Sequence, residues 1–469
     1  MLLKRQPRLL LVPLAVISAA VAFLLLRRTP LPRERHTNVV IILIDALRRD
    51  HVGVYGYSRD TTPNIDRFAG ESLVFENAIS PSSWTCPSIA SLFSMLYPTV
   101  HGLTGLTPEG YENGTNALDD NLVTFAEILS ENGYATGAFV ASPCICRDLQ
   151  FDQGFEVFDP IGSEAKPRAD EVNRKAVAWI EDNRDRPFFA YLHYMDVHGP
   201  YEPPEPYETH FKSGQARLMS KADVSRLGYL SAGRENDNWD LNYYLDRYDG
   251  EIRYLDQEFG QLIEALKRRE LFDNSLIVVT SDHGEAFFEH GFCDHGMTLY
   301  NEEISIPLIV KLPSTISRTG KAGGYANLLD LSFSILEFLG CQPPYEVDGI
   351  DILDHSSETA GNGRRMFSEE MAEKFKGPPK VVMLEGEMKF HYQPHTGEVC
   401  EIYNVLNDPG ESNNLVDTLR RRAETGREIL DRRMRQQMRK RRSLGLEGHS
   451  TEIRDSEKYD KLKALGYIQ

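Results

Sequence analysis

The chain is poor in cysteine, in positive charge and in internal repetition, and each shortage narrows what it can be. Six cysteines in 469 residues (Cys86, Cys144, Cys146, Cys293, Cys341 and Cys400) are too sparse for a scaffold built on disulfides. Cys144 and Cys146 lie two apart and would make only a strained bridge, so cysteine usage leaves the compartment open. Lys and Arg number 52 against 70 Asp and Glu, a formal net charge of −18. General nucleic-acid binding is therefore not expected. No internal repeat is present.

What remains is an ordinary globular composition, 41% hydrophobic and 26% charged, long enough for two or three domains with a full core. The N-terminus stands apart. Leu9 to Leu26 is an uncharged apolar run of 18 residues, near the roughly 20 that span a bilayer as a helix. Lys4, Arg5 and Arg8 precede it, and Arg27, Arg28, Arg33 and Arg35 follow it, so flanking charge does not orient it. A cleavable signal with Ala20-Val21-Ala22 at its cleavage site is the rival reading. The run continues to Leu26, which favours an uncleaved anchor. Either way the rest of the chain is expected at the membrane or beyond it, outside the cytoplasm. Residues 1–36 are read as this segment, 37–355 as a catalytic domain and 364–469 as a C-terminal subdomain, with the polar, Gly-rich stretch Ser356 to Gly363 as the boundary.

Asn38 to Ile44 is a continuous apolar run ending at Asp45, the pattern of a strand buried on both faces of a parallel sheet. Ala138–Ala141, Phe188–Tyr194 and Ser275–Thr280 read as further strands, the last ending in Ser281-Asp282-His283-Gly284. Ile304–Leu312 is strand-like, with Pro307 expected at an edge or a bulge. Leu122–Leu129 reads as a helix stopped at Gly133. Ile252, Leu255, Phe259, Leu262, Ile263 and Leu266 recur at helical spacing, and Leu328–Leu339 is a helix stopped at Gly340. This alternation predicts an α/β fold, a large mixed and mostly parallel sheet flanked by helices. Beyond it, Val381–Met383, Met388–Tyr392 and Val399–Tyr403 look like hairpin strands of a smaller α+β unit. Leu415–Arg442 is a long helix in which eleven residues from Arg420 to Arg442 are Lys or Arg. A solvated face is the plain reading and contact with anionic lipid head groups the sharper one.

Functional residues of such sheets gather beyond the carboxyl ends of the strands, and Asp45, Asp282 and His283 all fall there. Carboxylates with an imidazole suit a divalent metal ion, and Gly284 lets the backbone turn after the Asp-His pair. A helix cap is the competing reading for either Asp. In Ser82-Ser-Trp-Thr-Cys-Pro-Ser88, Pro87 fits a first helical turn with Thr85 or Cys86 at the cap. A hydroxyl there faces the positive end of a helix, a good place for a tetrahedral oxyanion. His193, Asp196 and His198 follow a strand in a Gly- and Pro-rich loop suited to acid–base work. His290, Asp294 and His295 form another polar cluster.

Taken in order, Ile44-Asp-Ala-Leu-Arg-Arg-Asp-His51, Tyr55-Gly-Tyr57, Thr62-Pro-Asn-Ile-Asp66, Trp84-Thr-Cys-Pro-Ser88, Pro187-Phe-Phe189, His198-Gly-Pro-Tyr201, Tyr248-Asp-Gly-Glu-Ile252, Ser281-Asp-His-Gly-Glu285, Ile306-Pro-Leu-Ile-Val310 and Leu465-Gly-Tyr-Ile468 resemble the sulfatase family of the alkaline-phosphatase superfamily. The resemblance implies a large α/β domain followed by a small domain with an antiparallel sheet, which Tyr403 to Glu411 resembles. It implies that Asp45, Asp282 and His283 ligate a metal and that Thr85 is the nucleophile and a further ligand. The chain departs from the family where formylglycine sulfatases carry Cys-x-Pro-Ser-Arg. Thr85 stands at the cysteine and Ile89 at the arginine, Met297 replaces a sulfate-holding lysine, and Ala46 replaces a second Asp. The Gly-Lys-Trp-His segment is missing.

Thr85 cannot become a formylglycine hydrate and resembles instead the threonine nucleophile of relatives that act on phosphate esters and phosphodiesters, lipid-directed phosphotransferases included. The expected chemistry is attack by Thr85 on phosphorus or sulfur, with His198 or His295 protonating the leaving oxygen and His193, Asp196 and Ser88 holding the substrate. Oxygen-rich ligation fits Mn²⁺, Ca²⁺ or Mg²⁺, and zinc if His295 also binds. The expected partner is an anionic ester, lipid- or glycan-linked. A sulfate-ester hydrolase and a membrane-tethered binding protein without catalysis are the alternatives. Asn113-Gly-Thr115 is a glycosylation sequon.

Overall fold

The computed structural model describes residues 37–104, 115–161, 166–220, 240–354, 364–371, 378–446 and 450–451. The apolar run 9–26, the Asn113 sequon, the boundary at 356–363 and the Leu465–Ile468 stretch lie outside the described residues. Among the described residues no helix is long and apolar enough to cross a membrane.

Strand β1 (Asn38–Ile44) is the middle of the fold. All seven of its residues are buried, as a run with no polar alternation requires of a strand covered on both faces. It pairs in parallel with β5 (Phe188–Tyr194) on one side and with β6 (Ser275–Thr280) on the other. Beyond β5 the sheet continues, still parallel, through β3 (Ala135–Val140) to β4 (Val157–Pro160). Beyond β6 it turns antiparallel at β8 (Leu308–Lys311), which pairs with β2 (Leu73–Ile79), and β2 takes β9 (Gly320–Asn327) as a parallel neighbour. The nine-stranded sheet is the mixed, mostly parallel one that the strand–helix alternation predicts.

Pro307 falls at an irregularity, as expected. It divides one line of chain into β7 (Ser305–Ile306) and β8, and across it the register against β2 shifts by one residue, from Ile306 opposite Ala78 to Ile309 opposite Val74. Its missing N–H costs one ladder bond, while its carbonyl still accepts from Thr280 Oγ1 at 2.8 Å.

The helices flank the sheet. The longer ones are α1 (Pro63–Ala69), α2 (Thr85–Ser94), α3 (Phe125–Glu131), α4 (Ala169–Asp182), α5 (Leu241–Arg268) and α6 (Leu328–Leu339). Helix α3 opens with a Thr124/Glu127 capping box, which satisfies two otherwise orphaned N–H groups. Helix α6 opens with an Asn327/Asp330 box and closes on Gly340 at φ 73°.

The C-terminal part is an antiparallel meander, β10 (Arg365–Glu370), β11 (Lys380–Glu385), β12 (Met388–Gln393) and β13 (Glu398–Asn404). Helix α7 (Arg420–Ser443) packs on it through Leu430 and Met434, which join Val381, Met383, Phe390 and Ile402 in one apolar cluster. Only Gly426, Leu430, Arg433 and Met434 of α7 are buried. Polar groups also link the meander to the segment just before β7. Glu411 accepts from Asn301 N at 2.7 Å and from Lys389 Nζ at 2.9 Å, and its Oε1 lies 3.1 Å from His391 Nε2. None of the six cysteines forms a disulfide.

Candidate active site

Parallel register places the first two acids. Leu43 is level with Thr280 on β6 and with His193 on β5. Two residues further, Asp45 and Asp282 stand level with each other just past the strand ends, with the His193 side chain beside them. Helix α2 points its N-terminus into the same corner. Its cap is Trp84, which makes no side-chain cap bond, and Thr85 is the first helical residue. The expectation that Thr85 or Cys86 caps the helix is thereby corrected. With no backbone N–H of its own helix to satisfy, the Thr85 hydroxyl is available to the corner.

There it lies 3.2 Å from His283 Nε2 and 3.5 Å from Asp45 Oδ2. His283 Nε2 is 3.4 Å from Asp45 Oδ1 and 3.5 Å from Asp282 Oδ2. His193 Nε2 approaches Asp45 Oδ2 at 3.1 Å. The structure thus brings together Asp45, Thr85, Asp282 and His283, and it adds His193, which the sequence suggested for substrate. All five are wholly buried.

Burial alone would push Asp45 up, but His198, His193 and His283 around it hold its carboxyl well below the usual range. Asp282, buried beside Asp45 and less well compensated, is pushed up to about 6. Burial works against the His283 cation, yet Asp282 and Asp45 together lift it to about 10.

Two of the carboxylate oxygens, Asp45 Oδ1 and Asp282 Oδ2, are buried without a hydrogen-bond partner. Such oxygens are costly in a protein interior unless a cation meets them. The ligand atoms of Asp45, His193 and Asp282 lie within 4.8 Å of one another. Carboxylates with imidazole and a hydroxyl suit a hard or borderline divalent ion, so the residues fit the metal that the sequence implies.

The backbone here is held open by two devices. Ala46 adopts a left-handed conformation at φ 59°, costly for a residue with a Cβ. Its N–H donates to Asp282 Oδ1 at 3.3 Å, and its carbonyl accepts from the Tyr248 hydroxyl. Gly284 is not a positive-φ residue; its need is space, because a Cβ there would lie 2.1 Å from the Glu302 carbonyl oxygen. That replaces the expectation of a glycine-permitted turn.

His198 and His295, both buried, lie beside this group. The two rings are 4.9 Å apart, and the His295 ring is 4.2 Å from that of His283. His198 Nδ1 meets the Gly199 carbonyl at 2.7 Å, and burial lowers the imidazole to about 4. His295 Nδ1 lies 3.1 Å from Glu285 Oε1 and 3.0 Å from Asp294 Oδ1.

Two residues expected to hold substrate point elsewhere. Ser88 Oγ donates to the Ser82 carbonyl at 3.0 Å and meets Ser80 Oγ, which in turn donates to the Asp282 carbonyl. It braces the corner from behind. Asp196 Oδ1 accepts from Ala169 N at 3.3 Å at the start of α4 and lies 3.9 Å from Arg168.

Sequence reasoning missed Lys166, whose ammonium donates to the carbonyls of Asp196, His198 and Pro200 and so clamps the loop carrying His198. Nothing in the residues around it signals that role. Glu285 was visible only as a neighbour of Asp282-His283. Its burial and its nearness to Asp294 raise its carboxyl.

Comparison with known proteins gives the context. The sulfatase family model matches residues 37–341, and a model described as N-sulphoglucosamine sulphohydrolase, C-terminal, matches residues 288–442. The chain is 22% identical over 506 residues to the N-acetylglucosamine-6-O-sulfatase of Bacteroides thetaiotaomicron, covering 88% of each. Among solved structures it superposes with TM-score 0.70 and 18% identity on BT4656 in complex with its substrate D-glucosamine-2-N,6-O-disulfate, covering 87% of this chain and 98% of that one. It superposes with TM-score 0.65 and 18% identity on the phosphonate monoester hydrolase of Agrobacterium radiobacter, covering 86% and 96%.

Proposed function

The chain belongs to the sulfatase family, and on that premise we propose that this hydrolase uses Thr85 as nucleophile on phosphate esters or phosphodiesters. One observation carries the reading. A threonine hydroxyl at a helix N-terminus lies within 3.5 Å of both Asp45 and His283 in a wholly buried corner.

Asp45, Thr85, Asp282 and His283, with His193 beside them, would hold a divalent ion, which would supply positive charge favouring the Thr85 alkoxide and the anionic ester. Mn²⁺, Ca²⁺ and Mg²⁺ suit this oxygen-rich set better than Zn²⁺. Thr85 Oγ1 attacks phosphorus, the bond to the leaving oxygen breaks, and the group is carried as an ester on Thr85. The positive end of α2, where Thr85 is the first helical residue, faces the developing negative charge.

His295 is the better acid for the leaving oxygen. Glu285 and Asp294 engage its Nδ1, which leaves Nε2 to carry and deliver a proton. His198, with Nδ1 turned to the Gly199 carbonyl, presents Nε2 as an acceptor and suits the activation of the water that later releases the group. The arrangement serves an acceptor alcohol as well as water.

Sulfate esters are the second reading, favoured by the family match itself and by the sulfated sugars named for the relatives. The run Leu9–Leu26 supports a single-pass anchor with this site outside the cytoplasm, and a lipid- or glycan-linked ester fits that position.

The deciding experiment runs aryl sulfate, aryl phosphate and diaryl phosphate side by side, with and without Mn²⁺, Ca²⁺ and Mg²⁺, against Thr85→Ala. Metal- and Thr85-dependent turnover of a phosphate substrate is the expected result. Exclusive sulfate turnover would install the second reading, and no turnover with no bound metal would mean a binding protein.

A further inference from the structure

Away from this corner, helix α7 and strand β10 line a cleft of about 500 Å³. Arg433 lines it. The residue is 7% exposed, and its guanidinium lies 3.9 Å from the Phe367 ring and 4.4 Å from the Tyr97 ring, two rings set edge to face. One of its nitrogens donates to Glu369, while Nη2 is buried with no hydrogen-bond partner. A buried guanidinium N–H left unpaired is costly, and its natural complement is an oxyanion. Arg432 and Gln436 line the same cleft and are exposed. The other charges there are already matched, Arg364 by Asp330, Arg365 by Glu385 and Asp348 by Lys440.

Arg432 of the cleft also begins a line of like charge. Arg432, Arg435, Arg439 and Arg442 are exposed and follow i, i+3, i+7, i+10 spacing, so they share one face of α7. The ten steps from Arg432 to Arg442 span about 15 Å, with intervals of roughly 4.5–6 Å between neighbours. From Arg432 to Ser443 there is no acidic residue, whereas Glu424, Glu428 and Asp431 interleave with the arginines before it. Among the described residues none of these four arginines has an acidic partner within 4.0 Å. The net charge of −18 does not cancel this line at contact, because screening at physiological salt acts over about 8 Å.

We propose that the cleft and the stripe form a binding site for a linear polyanion. One phosphate or sulfate group seats against Arg432 and Arg433, and its successors follow Arg435, Arg439 and Arg442. A line one residue wide, ending in a recessed cation, fits a chain with repeating charges better than the plane of a bilayer. The proposal rests on the placement of α7 and not on the Thr85 chemistry.

The test uses the full chain in detergent and fluorescein-labelled dextran sulfate, read by anisotropy at about 0.15 M salt. The quadruple variant Arg432→Ala, Arg435→Ala, Arg439→Ala, Arg442→Ala is expected to weaken binding at least tenfold. It should leave turnover of a small aryl ester unchanged, and the matching Arg→Lys quadruple should keep most of the affinity. Thr85→Ala should bind as the parent does, which separates this site from the catalytic corner. Undiminished dextran sulfate binding by the alanine quadruple overturns the proposal. So does a loss confined to phosphatidylcholine vesicles containing phosphatidylglycerol, relative to pure phosphatidylcholine, which would assign the stripe to a membrane.

Discussion

The Tyr248 hydroxyl donates to the Ala46 carbonyl at 2.7 Å and accepts from the Arg48 N–H at 2.9 Å. These two bonds pin the left-handed turn that directs Asp45 and Asp282 toward Thr85. Tyr248→Phe leaves both backbone groups buried and unpaired, a cost of about 1–3 kcal/mol each at most. The expected outcome is a lower unfolding midpoint in urea together with weaker metal retention during dialysis. Ala46→Gly relieves the positive φ and should be close to neutral, since the glycine's extra chain entropy offsets the relief.

Gly284→Ala is expected to be far more damaging than its size suggests. The new Cβ would meet the Glu302 carbonyl oxygen at 2.1 Å, so the Asp282-His283 backbone must move. Loss of 1 Å in placement can cost about 100-fold in rate. Kinetics with saturating metal, beside circular dichroism to verify folding, check this; a fully active variant would contradict the close approach.

Thr85→Ala should lower kcat/KM by at least about a thousandfold, whereas Thr85→Ser keeps the hydroxyl and should lose much less. Trapping of a covalent ester by rapid acid quench in the parent, and its absence in Thr85→Ala, is the accompanying measurement.

If His295 delivers the proton, its replacement hurts esters of poor leaving groups most. His295→Ala is expected to slow alkyl esters by about 100- to 10,000-fold while changing nitrophenyl esters little. A plot of rate against leaving-group acidity, steeper in the variant, is the readout.

Glu411 ties acid stability to the join between β12 and the segment at Asn301. Burial opposes its charge, but the Lys389 ammonium and His391 bring it from 4.5 down to about 2. The folded value lies below the unfolded one. Its contribution is therefore complete above about pH 4.5 and fades as the pH falls from there toward 2, amounting to on the order of 3 kcal/mol. Glu411→Gln should be less stable than the parent in urea at pH 7, and the gap should close as the pH approaches 3.

The amino-acid order by itself determined the strands and the chemistry of their ends. Asn38–Ile44, Phe188–Tyr194 and Ser275–Thr280 are legible because an unbroken apolar run buried on both faces leaves few alternatives, and Leu328–Leu339 because periodicity and Gly340 agree. Asp45, Asp282 and His283 were legible as strand-end polar groups, and Thr85 through the helix start at Pro87. Tertiary structure alone decided which of these meet. The parallel register of β1 with β5 and β6 levels Asp45 with Asp282 and brings in His193, a long-range pairing that no local pattern encodes. It also turned Ser88 and Asp196 away, since hydroxyls and carboxylates take whichever partner packing presents. Neither the Lys166 clamp nor the recess around Arg433 has a local signature, because each is made by segments distant in sequence.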